Sequence, residues 1–181
     1  MNKFNYENPN LIYKKLVKEI DLNTIKPPRA GVIIYTKHHN EIYYGLGIDN
    51  ATKEITDFGG GISYKERDKN VILGALREFK EETLGIFGNI TYKEVLESPV
   101  IYNKHTLIIF KYVDLEPSMV RELFLQTHQK QVRVSEVCDI IWMTTNELKN
   151  CVMTRGKMFF RVQTFLQKAG NFYWLLDLAT H

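Results

Sequence analysis

A glycine triplet followed by a glutamate-rich helix is the feature that most constrains this chain of 181 residues. The stretch GGGISYKERDKNVILGALREFKEETLG runs from Gly59 to Gly85. A short strand is predicted for residues 54–58, directly before the glycines, and a helix is predicted for about residues 68–84. Because glycine allows a tight turn, this order places flexible backbone beside a run of carboxylates.

The predicted helix carries its apolar residues and its carboxylates on different sides. At 100° per residue, one narrow stripe would face the core, and it contains Ile72, Leu76, Phe79 and Thr83. Three glutamates at spacing i, i+3 and i+4 fall within an arc of about 100° elsewhere, namely Glu78, Glu81 and Glu82. A solvated acidic face is one interpretation, since a like-charged pair on a helix costs only about 0.2–0.5 kcal/mol.

Two glycine features favour a cation site instead. Gly74 lies one turn before Glu78, and a glycine inside a helix costs about 1 kcal/mol relative to alanine, which suggests a close approach to the backbone there. The glycine triplet would also leave a carbonyl uncovered for a ligand. Mg²⁺ binds carboxylates, carbonyls, waters and substrate phosphates. The stretch is neither a P-loop, since no Gly-Lys-Ser/Thr follows, nor a GxGxxG motif.

These residues resemble the Nudix box of the Nudix hydrolase family, G-x5-E-x7-R-E-U-x-E-E-x-G-U, in which U is apolar. Gly60 and Glu66 match the first half, and Arg77-Glu78-Phe79-Lys80-Glu81-Glu82 matches R-E-U-x-E-E. Ten residues, not seven, separate Glu66 from Arg77, so the loop is longer or the helix gains most of a turn. If the seven-residue spacing of the pattern is counted back from Arg77, Lys69 occupies the position of the first glutamate of the motif. Gly85 also comes one residue later than the pattern.

The resemblance implies a fold, an activity and a set of site residues. The fold would be α/β, a Nudix-type α/β/α sandwich around a mixed β-sheet. The activity would be metal-dependent hydrolysis of a pyrophosphate linkage in a nucleoside diphosphate joined to another moiety X. Mg²⁺ or Mn²⁺ would be held by Glu78, Glu81, Glu82 and the carbonyl of Gly59. Arg77 would orient the carboxylates, consistent with its i+4 relation to Glu81.

Hydrolysis of this kind needs an activated water and a base. The cation would neutralise phosphate charge and acidify a water, which attacks phosphorus in line with the leaving oxygen. Glu82 is one candidate for the base. In the family the base often lies on a variable loop, so Glu136 is the preferred outside candidate and Glu116 the second. The alternative for Glu136 and Glu116 is that they are ordinary surface glutamates.

The order of the predicted elements indicates an α+β or a mixed α/β fold, with an N-terminal extension. Residues 1–28 are predicted to be an N-terminal helical appendage, with a helix over residues 8–20, and residues 29–181 to be the Nudix domain. Further strands are predicted at residues 30–36, 42–48 and 138–144. Two more are predicted over ITYKEVLESPVIY and HTLIIFKYVDL, joined by a turn at NK. Further helices are predicted at residues 117–130, in TNELKN, and at residues 157–169.

Composition favours a soluble, cytoplasmic protein. The chain is 44% hydrophobic and 25% charged, which is ordinary for globular proteins, and its net charge of +3 does not by itself indicate a nucleic-acid binder. Cys138 and Cys151 lack metal-site spacing and are predicted to be free thiols. No apolar run approaches the ~20 residues of a membrane span, and the N-terminus lacks an apolar signal region, so no membrane partner is expected.

The sequence leaves the moiety X open. Tyr43, Tyr44 and Phe58 could stack on a base, although strand aromatics more often belong to the core. Capped RNA is an alternative substrate, because RAGVIIY and DFGGGI resemble segments of viral and related Nudix proteins, some of which remove mRNA caps. Basic residues near both ends could follow an RNA backbone or form solvated helix faces. They are Lys14, Lys15, Lys18, Arg155, Lys157, Arg161 and Lys168. A non-catalytic nucleotide-binding module with the same fold is a further alternative.

Overall fold

The computed structural model describes residues 10–179, which form one mixed sheet with helices on both faces. The strands of this part of the chain are β1 (Tyr13–Leu16), β2 (Arg29–His38), β3 (Glu41–Asp49), β4 (Ile55–Thr56), β5 (Phe58–Gly61), β6 (Pro99–Tyr102), β7 (Thr106–Tyr112) and β8 (Val137–Thr144). The α-helices are α1 (Val71–Glu82), α2 (Pro117–Gln129), α3 (Thr145–Met153), α4 (Phe160–Ala169) and α5 (Trp174–Leu178). Short 3-10 helices cover Val17–Glu19 and Tyr92–Val95.

Strand β2 organises the sheet, because three other strands pair with it. The main order is β1-β6-β7-β2-β3-β4, with β5 also on β2 and β8 also on β3. β2 runs parallel to β7 and antiparallel to β3 and β5. β3 pairs with β2 from Ile34 onward, whereas β5 pairs with β2 only as far as Val32. β5 therefore occupies the place beside β2 that β3 does not reach, and it carries the glycine triplet into the sheet.

Alternate residues of β2 supply two separate cores. Val32 and Ile34 belong to the core that contains apolar residues of α1 and α2. Ile33 and Tyr35 belong to the core that contains residues of α3, α4 and α5. Since successive strand residues face opposite sides of a sheet, helices cover both faces. This arrangement confirms the predicted α/β/α sandwich around a mixed sheet.

The helix predicted over residues 8–20 is wrong over the part that the structure describes, and residues 8 and 9 lie outside that part. Tyr13–Leu16 instead forms β1, antiparallel to β6. Val17, in the 3-10 turn that follows, is fully buried in the core it shares with α1. The helical spacing of apolar residues was a weak local signal, and pairing with a distant strand overrides it. The boundary at residue 28 stays a prediction, although β1 belongs to the same sheet as the later strands.

The other predicted elements are confirmed with shifts at their ends, except that only the last part of ITYKEVLESPVIY is a strand, β6, and its first part contains the 3-10 helix Tyr92–Val95. α1 begins at Val71 and not near residue 68, because the side-chain oxygen of Asn70 caps it by accepting from the Leu73 amide at 2.9 Å. The strand predicted for residues 54–58 is divided into β4 and β5. α5 was not predicted. Cys138 and Cys151 are free thiols. Among the described residues, no helix combines the length and apolar character needed to span a membrane.

Candidate active site

The glycine triplet lies inside strand β5 and allows two close contacts. A β-carbon on Gly60 would stand 2.6 Å from Oε2 of Glu78, so the missing side chain lets this α1 carboxylate approach the strand. Gly59 pairs with Gly31 of β2. A β-carbon on Gly59 would stand 2.6 Å from the α-carbon of Gly31, which means that neither strand has room for a side chain at this crossing.

Two of the three predicted metal-binding glutamates are buried. Glu78 and Glu82 each expose 8% of their surface, whereas the side chain of Glu81 is 55% exposed. Oε2 of Glu82 is buried and has no hydrogen-bond partner among the described residues. Buried polar atoms are nearly always hydrogen-bonded, so this oxygen is an exception that needs a cause. A solvated acidic face therefore describes Glu81 but not Glu78 or Glu82.

Glu82 lies in a group of negative side chains. Burial first, and then the charges of Asp57, Glu136 and Glu78, raise the pKa of Glu82 to about 9, against the opposing effect of Arg29. The pKa of Glu78 is also raised, again mainly by burial, with its ion pair to Arg77 opposing. These carboxylates would repel one another without a compensating cation.

The two outside candidates for the base differ in position. Glu136 is exposed just before β8 and is close enough to Glu82 to affect its pKa. Its backbone carbonyl accepts from the Asn50 amide at 2.7 Å, which fixes the chain at this point. Glu116 is exposed at the N-cap position of α2. Of the two candidates, Glu136 is the one whose charge contributes to the raised pKa of Glu82.

Arg77 links α1 to the preceding loop and to β5. Its Nε and Nη2 donate to the two carboxylate oxygens of Asp68 at 2.8 and 2.9 Å. Its Nη1 lies 2.9 Å from Oε1 of Glu78 and 3.3 Å from Oε2 of Glu81. Nη2 also donates to the carbonyl of Gly61 at 3.2 Å. These contacts agree with the predicted orienting function, which stays a proposal.

The acidic partner of Arg77 in the long loop is Asp68, which sequence reasoning missed. Asp68 is 3% exposed and accepts a hydrogen bond from the Ser63 amide at 2.9 Å. The two positions considered from the motif, Glu66 and Lys69, are both exposed. In the longer loop, Arg77 thus pairs with Asp68, whose side chain is shorter than that of Glu66 and which is closer to α1 in the sequence. The only sequence signal was an aspartate three residues before the helix.

The close approach predicted at Gly74 is made by the same loop. A β-carbon on Gly74 would stand 2.8 Å from Cδ1 of Ile62 and 3.2 Å from Cγ of Asp68. Gly74 therefore accommodates protein side chains that hold the loop on α1. It gives no support to a ligand contact with the helix backbone.

A buried ion pair lies beside β5 and was also missed. Two guanidinium nitrogens of Arg29, at the start of β2, donate to the two carboxylate oxygens of Asp57, and the Nη1–Oδ2 distance is 2.9 Å. The side chain of Asp57 is completely buried. Removing one partner of such a pair leaves an uncompensated charge. An aspartate within an apolar strand, directly before the glycines, was the only available signal.

The carboxylates of this group have the donor chemistry that a hard divalent cation requires. Across residues 10–179, no group of three or more His, Cys, Asp or Glu side chains has the arrangement of a metal site. Glu81 is engaged by Arg77. The unpartnered oxygen of Glu82 is nevertheless the kind of donor that Mg²⁺ or Mn²⁺ accepts. Glu78, Glu81, Glu82 and the Gly59 carbonyl thus stay a predicted ligand set.

A cavity of about 550 Å³ adjoins β5 on the side of α4. Gly60 and Gly61 form part of its wall, so the cavity adjoins the strand that contacts Glu78. Phe160 and Arg161 of α4 line it as well. The volume lies within the range of about 300–1,000 Å³ that is typical of small-molecule sites.

The aromatic residues considered from the sequence do not line this cavity. Tyr44 and Phe58 are fully buried and belong to the two cores, as the core interpretation predicts. Tyr43 is partly exposed on β3. The exposed ring beside the candidate site is instead Phe160, which was assigned only to a helix in the sequence analysis.

Comparisons with known proteins give structural similarities only. The chain matches no protein-family model and no curated protein. It is similar to the Ap4A hydrolase of C. elegans, at 18% identity over 80% of this chain and 96% of that chain, with a TM-score of 0.43. It is also similar to the NUDIX domain of Shewanella oneidensis NrtR, solved with ADP ribose, at 13% identity over 83% and 92%, with a TM-score of 0.45.

A mutT/nudix family protein from Listeria innocua is similar at 16% identity over 87% of this chain and 99% of that chain, with a TM-score of 0.45. The NrtR domain and the Listeria innocua protein carry the family name of the motif that the glycines and glutamates resemble. At this level of identity, what each of them binds or cleaves is a property of that protein. The function of this chain therefore has to be argued from its own residues.

Proposed function

We propose that the protein is a Nudix pyrophosphohydrolase that uses Mg²⁺ or Mn²⁺ to cleave a pyrophosphate linkage in a nucleotide conjugate. The observation that carries this proposal is the buried, unpartnered oxygen of Glu82 in a group of carboxylates beside β5. A buried charge without a partner is costly, and a divalent cation would compensate it. The adjoining cavity has room for a nucleotide.

The cation would be held by Glu78 and Glu82, with Glu81 and the carbonyl of Gly59 as further ligands. When bound, it would neutralise phosphate charge and acidify a water molecule. Arg77 would hold Glu78 in position through the 2.9 Å ion pair. Its hydrogen bond to the carbonyl of Gly61 would fix the position of α1 relative to β5. Catalysis would then depend mainly on positioning and electrostatic stabilisation, as in other phosphoryl transfers.

Glu136 is the proposed general base. It is exposed to solvent, so a water molecule can reach its carboxylate, and it lies close to Glu82. Glu82, the other predicted base, is buried and is better suited to a ligand function. Replacing Glu136 would remove proton transfer and leave cation binding in place.

The variants Glu78→Gln and Glu82→Gln test the metal function. With Mg²⁺ or Mn²⁺, a panel of nucleotide sugars, ADP-ribose, dinucleoside polyphosphates, damaged nucleoside triphosphates and capped RNA should contain a substrate of the wild-type protein. Each variant should lower kcat by about 100-fold or more, because a few kcal/mol of transition-state stabilisation depends on the cation. The matched control is Glu122→Gln, an exposed glutamate of α2, which should keep wild-type turnover.

Thermal unfolding with and without Mg²⁺ separates binding from turnover. Mg²⁺ should raise the Tm of the wild-type protein and of Glu122→Gln, but not that of Glu82→Gln. Stabilisation by Mg²⁺ without turnover of any substrate would favour the non-catalytic binding module. Wild-type turnover by both Glu78→Gln and Glu82→Gln would overturn the proposal.

A further inference from the structure

Two neighbouring cavities have no acidic residue in their lining. The cavity of about 550 Å³ beside β5 shares Asn103 with a second cavity of about 330 Å³. The second cavity lies where the turn after β6 meets residues 24–27. We call the two cavities together the basic groove. Among the described residues that line it, none is Asp or Glu, although the whole chain contains 21 acidic residues.

The basic groove collects positive side chains from distant parts of the chain. Lys26 and Lys104 line the smaller cavity, and Arg161, Lys168 and His105 line the larger one. Within the described part of the chain, no salt bridge involves Lys26, Lys104 or Arg161. These charges are therefore available to phosphate groups.

Two further cations of the groove are already engaged in different ways. Nζ of Lys168 donates to the neutral side-chain oxygen of Asn10 at 3.0 Å, so its charge is not compensated by that bond. The charge of Arg29 is compensated by Asp57. The net charge of the groove thus comes from its lysines and Arg161.

Aromatic rings line both cavities of the basic groove. Phe160 is 64% exposed in the larger cavity, with the guanidinium carbon of Arg161 at 5.9 Å from its ring centroid. In the smaller cavity the rings of Tyr13 and Tyr102 stack with centroids 5.2 Å apart. Single-stranded nucleic acids bind to surfaces that combine basic side chains for the phosphates with aromatic rings for the bases.

We propose that the basic groove binds a single-stranded oligonucleotide chain that carries the reactive pyrophosphate at its end. The proposal rests on the proposed function, which places that pyrophosphate at Glu78 and Glu82. The chain would pass Gly60, which contributes to the cavity wall and contacts Glu78, and would then follow the lysines toward Tyr13. A free mononucleotide would fill only the larger cavity.

The basic groove differs from the set of basic residues considered in the sequence. Only Arg161 and Lys168 of the predicted basic set line it. Lys14 lines a different cavity, together with Glu19 and Glu97, and Lys18 forms a 2.7 Å ion pair with Glu97. Lys14 and Lys18 therefore provide a matched control for the two groove lysines.

Fluorescence anisotropy of short single-stranded RNA and DNA, labelled at the 3′ end, tests the proposal on the full chain in EDTA. Hydrolysis is absent under these conditions, so binding is measured independently of the proposed activity. Binding should weaken by about 10-fold or more between ~50 and ~200 mM salt, because lysine–phosphate contacts release counterions.

The double variant Lys26→Ala/Lys104→Ala should weaken binding about 10-fold at low salt, because two phosphate contacts are lost. Phe160→Ala should weaken binding about 5-fold or more, because a base loses its stacking partner. Lys14→Ala/Lys18→Ala should bind like the wild type.

The possible outcomes are distinguishable, provided that each variant unfolds at the wild-type Tm. Salt-independent binding, equal loss in the control variant, or equal competition by a mononucleotide and by the oligonucleotide would overturn the proposal. Tighter binding of RNA or of DNA supports it and identifies the sugar that the groove prefers. If oligonucleotides bind as expected but Glu82→Gln keeps full activity, the proposed metal function fails and the groove stands.

Discussion

Burial and charge oppose each other at Glu82. Its carboxylate is buried beside β5, it lacks a hydrogen-bond partner at Oε2 among the described residues, and its pKa is raised to about 9. Without a cation, the folded state disfavours the ionised form that the unfolded chain adopts at neutral pH. The buried carboxylate therefore lowers the free energy of unfolding of the cation-free protein, and cation binding would reverse this effect.

Glu82→Gln should stabilise the cation-free protein. Removing the ionisable group avoids the penalty of the raised pKa, and we expect the free energy of unfolding to rise by about 1–3 kcal/mol at neutral pH. Urea unfolding in EDTA measures the change. Glu81→Gln is the control, because that side chain is more than half exposed and should change stability little. Lower stability of Glu82→Gln in EDTA would contradict this account of the site.

At the residue scale the sequence identified the glutamates but not their environment. The spacing of Glu78, Glu81 and Glu82 predicted one shared side of α1, and the structure buries Glu78 and Glu82 but leaves Glu81 exposed. Whether each is buried depends on where β5 passes, which local spacing does not contain. Asp57 and Asp68 were missed for the same reason, since each becomes significant only through a partner arginine that the fold brings to it.

At the scale of elements, α1 and β5 act as one unit. Arg77 joins the helix to the strand through the Gly61 carbonyl, and Glu78 lies against Gly60. The sequence predicted the helix well, because its apolar stripe has the helical period and Asn70 supplies a cap. It did not predict that the glycines would be strand residues, because their ladder bonds are made to a strand near residue 30.

Gly60→Ala and Gly61→Ala should separate the two functions of this unit. The β-carbon of an alanine at position 60 would stand 2.6 Å from Oε2 of Glu78, which would displace that carboxylate. Because the end of a side chain can move, Tm should fall only slightly while kcat falls about 10-fold or more. At position 61 a β-carbon would have no described heavy atom within 4 Å, so activity should stay within a few-fold of the wild type. Similar kcat values for the two variants would contradict the close contact.

At the scale of the whole molecule, the N-terminal segment is structurally continuous with the sheet. β1 extends the sheet beyond β6, and Val17 fills the core between the sheet and α1. The sandwich was predicted from the resemblance of the motif to the Nudix box, whereas the order of strands and helices indicated only an α+β or mixed α/β fold. The contribution of β1 was not, because its partner Tyr102 lies far along the chain from Tyr13 and edge pairing leaves little local signal.

Val17→Ala should therefore destabilise the whole domain. Val17 is completely buried, and truncation of a buried aliphatic side chain costs about 2 kcal/mol once the cavity is included. Leu11→Ala, at a residue that is 50% exposed, is the matched control and should cost less than about 0.5 kcal/mol. Chemical denaturation should show a single transition in both variants. An unchanged midpoint for Val17→Ala would indicate that the segment is a separate appendage.

The crossing of Gly31 and Gly59 has a consequence for interpreting genetic variation. Any substitution at either position forces the two backbones apart, whatever the chemistry of the new side chain, since its first carbon would already overlap the opposite strand. Inactive alleles at these two codons would thus report steric intolerance and say nothing about phosphate chemistry. Selection could diversify the neighbouring helix faces far more freely than this crossing.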